Sequence, residues 1–437
     1  MTTPAESVIL TQVGPGTPMG ALMREYWIPA ARSSEVTADG DPVRLMLLGE
    51  KLIAFRDSNG KVGVMDHRCP HRCASLFFGR NEEGGIRCVY HGWKFDADGN
   101  CTEMANIPPH QDFKQKVHAK AYKVTERAGL IWVYMGAREQ APPMPAIEAS
   151  LLPADEISIQ FIQRECNWLQ ALEGDIDTSH FSWLHVGSVQ PDDVKDGDFL
   201  KYQVLHRAPE FQVADTDWGT MYCAQRPAEN DQTYWRFAHF GLPFWTWIPQ
   251  GAFGDRLIAR AWVPMDDTHT MFVSMVWTKA SRSMALKDGS PVPGAVPVLQ
   301  YQPNTTDWYG RYRPVQNASN DYMIDREAQR NNTVYTGIDF IAMQDQAITE
   351  SMGDIVDHSF EHLAPSDQMI TRTRRRLLMA ARALQDREVV PPGVDDPLMY
   401  QRVRSGELLS AQTDWQAAYD EGMRDAIRPV DFRLAAE

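Results

Sequence analysis

Apolar residues in the first third of the chain fall in short runs separated by turn formers. The runs at 43–48, 52–56 and 62–65 have the length and composition of strands, and Asp57-Ser58-Asn59-Gly60 sits between the last two as a turn. Asp96-Ala97-Asp98-Gly99-Asn100 is a second hairpin turn, and the run at 130–134 closes the block. The pattern predicts a small all-β domain over 27–137. Ahead of it lies an N-terminal arm, residues 1–26, in which Gly14, Gly16 and Gly20 faintly imitate a phosphate-cradling loop. No Lys follows the last glycine and no strand precedes the first. Thr17 as N-cap and Pro18 at the first helical position instead predict a turn and then a short helix over 21–26.

Three prolines within 138–150 mark a linker. Beyond it, over 151–437, the runs lengthen. Those at 202–213, 233–248, 256–264 and 271–277 read as successive strands of one antiparallel sheet, and 335–352 and 369–384 as helices. The stretch 285–319 is polar and irregular, an excursion over the surface or towards a site. The fold class is therefore α+β, with an all-β N-terminal domain and a C-terminal antiparallel sheet flanked by helices. Arg372, Arg374, Arg375 and Arg376 form a basic run near the start of the last helix, a solvated face or a docking patch for an acidic reductase.

The 437 residues, 43% hydrophobic and 10% aromatic, suit two or more globular domains. A formal net charge of −15 argues against nucleic acid and anionic membranes as partners, while suiting a basic electron donor. No apolar run reaches the roughly 20 residues of a membrane helix. The opening MTTPAESVIL lacks the basic and apolar segments of a secretion signal. Among six cysteines, Cys73, Cys101, Cys166 and Cys223 show no disulfide-framework spacing, so a reduced cytoplasm is the expected location.

Two patterns carry chemistry. Cys69-Pro70-His71 is answered, sixteen residues later, by Cys88-Val89-Tyr90-His91. Two thiolates and two imidazoles so arranged suit a [2Fe–2S] centre with Cys69 and Cys88 on one iron and His71 and His91 on the other. Neutral ligands on one iron raise the potential, to roughly −150 to +300 mV, which suits passing single electrons to a partner that uses oxygen. A structural zinc is the competing reading, and Cys73 and His67 lie close enough in sequence to compete as ligands. The second pattern is Asp177-x-x-His180-x-x-x-x-His185. Two imidazoles and a carboxylate on one side of Fe(II) leave positions open for dioxygen and substrate. On an ideal helix His180 and His185 stand about 140° apart, so a bend or an end of the helix must bring His185 round.

The arms CPHR (69–72) and CVYHGWKF (88–95) resemble the Rieske iron–sulfur family. With GPGTPMG (14–20) and NWLQALEGDIDTSHFSWLH (167–185), the chain resembles the large subunit of Rieske ring-hydroxylating oxygenases, in the phthalate dioxygenase branch. That resemblance implies a helix-grip-like catalytic domain and an iron held by His180, His185 and a carboxylate from a late helix. Asp345 fits that carboxylate, with Asp354 and Asp357 as second choices and Glu350 as a weaker one. It gives Asp177 a bridging role between His180 and His91 of a neighbouring subunit, and hence a trimer or hexamer. It further implies electrons from NAD(P)H through a separate flavin and iron–sulfur reductase, since the chain has no nicotinamide or flavin fingerprint.

An aromatic acid substrate needs a cationic partner. Arg207 with Ser179 is the expected pocket pair, while Arg236 and Arg260 read as surface or structural residues. Phe244, with Phe240, Trp245 and Trp247, could supply aromatic walls. Three activities stay open: cis-dihydroxylation of an aromatic carboxylate, monooxygenation or demethylation of a methoxy- or phenoxybenzoate, and non-catalytic electron carriage.

Overall fold

The structure, a computed structural model, describes residues 2–255, 257–279, 284–295 and 299–430. Two helices open the chain. In α1 (Pro4–Thr11) Thr3 and Glu6 cap each other's backbone amides, at 3.2 and 3.1 Å. The box and Pro4 at the first helical position mark this helix, which the hydrophobic pattern does not predict. In α2 (Pro18–Arg24) the Thr17 hydroxyl accepts from the Gly20 amide at 3.1 Å, so the helix starts at Pro18, before the expected 21–26.

Ten short strands follow: β1 (Trp27–Arg32), β2 (Val43–Leu47), β3 (Glu50–Arg56), β4 (Val62–Asp66), β5 (Arg80–Glu82), β6 (Gly85–Arg87), β7 (Trp93–Phe95), β8 (Cys101–Met104), β9 (Ala121–Arg127) and β10 (Leu130–Tyr134). They form two antiparallel sheets, ordered β1-β10-β9-β4-β3-β2 and β5-β6-β7-β8. Ile53, Phe55, Met65, Leu76, Ile86 and Phe95 fill the space beneath the loops that carry Cys69 and Cys88.

The C-terminal half is built on eight strands: β11 (Ile157–Arg164), β12 (Glu210–Asp215), β13 (Gly219–Pro227), β14 (Thr233–Gly241), β15 (Trp245–Trp247), β16 (Ile258–Pro264), β17 (Thr270–Trp277) and β18 (Gly406–Ser410). Their order is β11-β17-β16-β15-β14-β13-β12, with β18 pairing β14 beside β15. Around the sheet lie α3 (Trp168–Ile176), α4 (Phe199–Leu205), α5 (Arg326–Arg330), α6 (Ile341–Ser351), α7 (Gln368–Arg387) and α8 (Trp415–Asp425). The two halves meet through the Leu48 and Gly49 amides, which donate to Pro264 and Met265 at 3.1 and 2.8 Å, and through Trp132 stacked on Trp245.

Several expected elements differ. The stretch 202–213 is not one strand: Asp198 caps α4 through the Leu200 amide at 2.9 Å, and β12 begins only at Glu210. Phe199 and Tyr202, one helical turn apart, both stack on Tyr234, which is what a strand could not achieve. The stretch 233–248 breaks at Leu242-Pro243, where the chain turns back and β15 pairs antiparallel with β14. Strand β13 between them was not foreseen. Arg256, the start of the next expected strand, lies outside the described residues. The helix expected from 335 begins at Ile341, because Phe340 takes a left-handed φ of 74°.

The basic run on α7 anchors the helix instead of lying freely in solvent. Arg374 is buried and grips the Glu173 carboxylate of α3 with two hydrogen bonds, at 2.6 and 2.7 Å. Arg376 donates to the Thr216 carbonyl at 3.1 Å and Arg372 to Asp215 at 2.8 Å. Arg375 alone faces outward.

Candidate metal centres

The first site lies at the tips of two loops of the N-terminal half. After β4 the Cys73 amide donates to the Cys69 carbonyl, and after β6 the Gly92 amide donates to Cys88, each at 2.9 Å. These matched turns bring two buried thiols together and aim two imidazoles alongside them. Gly92 has φ 76°, and a Cβ there would stand 2.8 Å from Ala105, so only glycine closes this turn. The His71 and His91 rings are 4.4 Å apart, and His71 stacks flat on Trp93.

The donor set fits a mixed Cys/His cluster. Burial, and then the adjacent Cys88, pushes the Cys69 thiol up to about 12, so a thiolate there needs a cation in place of its proton. Burial, and then His91 and Arg72, lowers His71, keeping it in the neutral form a ligand requires. The buried Nδ1 of His91 has no hydrogen-bond partner. Of the sequence-level competitors, Cys73 is exposed and His67 packs its ring edge on Trp308.

The second site forms where α3 ends. Asn167 caps the start of this helix, and Asp175 ties it to the sheet by accepting from Thr246 at 2.7 Å, Trp262 at 3.1 Å and Arg260. The helix stops at Asp177, whose carboxylate accepts from the Ser179 and His180 amides at 2.7 and 3.2 Å. A single π turn, Phe181–His185, follows. This wider turn brings His185 round to face His180, with ring centroids 5.0 Å apart. Asp345, from α6, completes the group: its Oδ1 lies 3.5 Å from His180 Nε2 and 3.1 Å from His185 Nε2. One donor atom from each of the three falls within 4.8 Å of the others.

Neighbouring side chains set which nitrogen each imidazole offers. Gln344 Nε2 donates to the Ile338 carbonyl at 2.8 Å, which leaves its Oε1 to accept from His185 Nδ1 at 2.7 Å. The proton therefore sits on Nδ1, and Nε2 is free for a metal. Asp177 Oδ2, 3.3 Å from His180 Nδ1, does the same on the other side. Burial opposes ionisation of Asp345, but the positive ground offered by His185, then His180, outweighs it and keeps Asp345 a carboxylate, the charged form a cation would meet. Two neutral imidazoles and one carboxylate on one side of a metal are the donor set of a non-haem iron site that keeps open positions.

Asp354 and Asp357 are exposed beyond α6, and Glu350 accepts instead from the Glu165 amide and the Tyr322 hydroxyl. Of the expected pocket residues, Ser179 lies next to His180 in the turn after α3, and Phe244 is fully buried beside Trp245. Arg207 is committed to backbone: it donates to the carbonyls of Ser182, Val186 and Val189 and lies over Trp183. Arg236 pairs with Glu407 at 2.6 Å, and Arg260 with Asp175. Gln344 escaped the sequence reading, since an amide beside a candidate ligand carries no pattern of its own.

Residues 26–120 match the Rieske [2Fe-2S] domain, and residues 133–428 match the LigXa C-terminal domain like family. The chain is 53% identical to the 3-chlorobenzoate-3,4-dioxygenase oxygenase subunit of Comamonas testosteroni, over 96% of its own length and 98% of that protein. This chain belongs to the Rieske ring-hydroxylating oxygenases. The phthalate 4,5-dioxygenase oxygenase subunit of Pseudomonas putida is 37% identical to this oxygenase over 98% of this chain and 97% of that protein. The fold is also that of dicamba monooxygenase bound to dicamba, with a TM-score of 0.56 at 16% identity, covering 84% of this chain and all of that one. The oxygenase carries a Rieske [2Fe–2S] cluster and a mononuclear non-haem iron. Among the described residues, no helix is long and apolar enough to cross a membrane.

Proposed function

We propose that this oxygenase adds both atoms of dioxygen to an aromatic carboxylate, using electrons drawn from NAD(P)H through a separate flavin and iron–sulfur reductase. Cys69, His71, Cys88 and His91 hold the cluster; His180, His185 and Asp345 hold the iron. The observation that carries this reading is the convergence of those last three side chains at the end of α3. Relatives of matching length are named for 3-chlorobenzoate and phthalate, both aromatic carboxylates. When bound, the cluster supplies single electrons and the iron activates dioxygen beside the substrate.

The chain's own residues do the positioning. Gln344 and Asp177 keep His185 and His180 in the tautomer that offers Nε2. Ser179, next to His180, offers a polar group beside the iron, while Phe244 packs in the core against Trp245. Arg207, held by three backbone carbonyls, fixes the segment that follows the iron turn and does not itself grip the acid.

Asp177 also links the two sites across a subunit boundary, joining His180 to His91 of a neighbouring copy. Apolar surface at both sites supports this: Val89 and Tyr90 beside His91 are 58% and 54% exposed, and Trp183 in the iron turn is 52% exposed. One face of each copy meeting the other face of the next builds a closed ring, and we infer the trimer or hexamer that the family resemblance implies. The test is oxygen uptake with NADH and a surrogate reductase, on a panel of chlorobenzoates and phthalates. Uptake matched to loss of one acid, and absent in Asp345→Ala, supports the reading. Uptake with no acid on the panel consumed counts against it.

A further inference from the structure

Strands β13 and β14 turn alternate residues towards α4 and the iron turn. In register, Arg226 faces Tyr234, Ala224 faces Arg236, and Tyr222 faces Ala238. Tyr222 lies against Thr178 and Asp177 at the end of α3. The Arg236 guanidinium lies 5.2 Å from the Phe181 ring centroid, and Phe181 packs edge-on against His185. One face of the sheet thus runs from the iron ligands to Arg226, with the small Ala224 and Ala238 between.

Arg226 is 1% exposed. Its Nε donates to the His206 carbonyl at 2.7 Å, but Nη1 and Nη2 are buried with no hydrogen-bond partner. The Nε of Arg236, on the same face, is likewise buried and unpaired. Arg236 is paired with Glu407 at 2.6 Å, whereas no carboxylate touches the Arg226 fork among the described residues. Burial, and then the Arg236 charge beside it, pushes Arg226 down to about 10. A charge buried with an open two-pronged donor fork is costly unless an anion fills it, and the flat fork of arginine matches a carboxylate with two parallel hydrogen bonds.

We infer that the Nη1/Nη2 fork of Arg226, with Arg236 Nε beside it, binds the carboxylate of the substrate acid and sets the ring's orientation towards the iron. The identity of that ligand rests on the function proposed above. An inorganic anion would satisfy the same donors, so the test must separate the two.

The holoenzyme, wild type and Arg226→Met, is titrated calorimetrically with 3-chlorobenzoate, its neutral amide and inorganic sulfate, with no turnover required. The expected result is a loss of roughly 30-fold or more in affinity for the acid, with the amide unchanged and sulfate weak throughout. Without ligand, the melting temperature of Arg226→Met should be unchanged or higher, because an unpaired buried charge has been removed. Should the Met variant not fold, Arg226→Lys carries the test, with a smaller loss still selective for the acid.

Equal loss of acid and amide with a lower melting temperature would make Arg226 structural and overturn the inference. Sulfate binding as tight as the acid, or no acid binding by the wild type, would overturn it too. Acid binding through Arg226 without any oxidation of that acid would leave this site standing while removing the proposed reaction. Oxidation that survives Arg226→Met unchanged would do the reverse.

Discussion

The amide oxygen of Gln344 lies 2.7 Å from Nδ1 of His185, one residue along α6 from the carboxylate that faces Nε2 of the same ring. A single turn of helix therefore supplies both the third donor and the group that orients the second. Gln344→Leu removes the acceptor while leaving all three donors in place. Iron affinity should fall on the order of 10- to 100-fold, with cluster absorbance unchanged. Iron content after dialysis against a graded chelator, read beside the cluster spectrum, measures this.

Asp177 holds the turn through two backbone amides and reaches His180 with Oδ2. Asparagine keeps one acceptor oxygen but no charge. Asp177→Asn should retain iron and cluster yet slow reoxidation of the reduced cluster, in the presence of substrate and dioxygen, on the order of 10- to 100-fold. Stopped-flow absorbance of the cluster in single turnover gives the rate. An unchanged rate would leave Asp177 as a turn-capping residue only.

Arg374 and Glu173 form a buried two-bond pair that fixes α7 against the iron helix. Removing one partner strands the other's charge in the interior. Arg374 also binds Glu361, so Arg374→Met should cost about 3–5 kcal/mol, and adding Glu173→Leu should return only part of it, since the Glu361 carboxylate stays unpaired. Urea unfolding with an unchanged m-value is the measurement.

Fully buried His239 is expected to govern acid stability. Burial lowers its imidazole to about 4, from 6.5. The folded state thus stays neutral where the unfolded chain takes up a proton. Stability is complete above pH 6.5 and is lost as the pH falls from there towards about 4, by about 3 kcal/mol at most. His239→Gln should flatten the urea-midpoint profile across that window. A profile identical to wild type would assign the acid loss to other groups.

The two metal-binding arms and the iron-turn histidines were legible because their chemistry is local: spacing within a few residues fixes it. Asp345 was not, since it reaches the imidazoles from more than 150 residues away and entered through the resemblance alone. Helix α4 was misread because Tyr202 and Val204 alternate as in a strand, whereas the Asp198 cap and the pairing of Phe199 with Tyr202 on Tyr234 decide for helix. Missing β13 had a further consequence. Arg226 lies on that strand, so the search for a cation to meet the acid settled on Arg207, which the fold commits to three carbonyls.

Insertion of both oxygen atoms into an aromatic acid is the step on which the proposed function turns. Reconstituted oxygenase, a surrogate reductase and NADH are given 3-chlorobenzoate or phthalate under isotopically heavy dioxygen, and the product is analysed by mass spectrometry. The expected product is a cis-diol with both heavy atoms on adjacent ring carbons. A phenol with one heavy atom would contradict it.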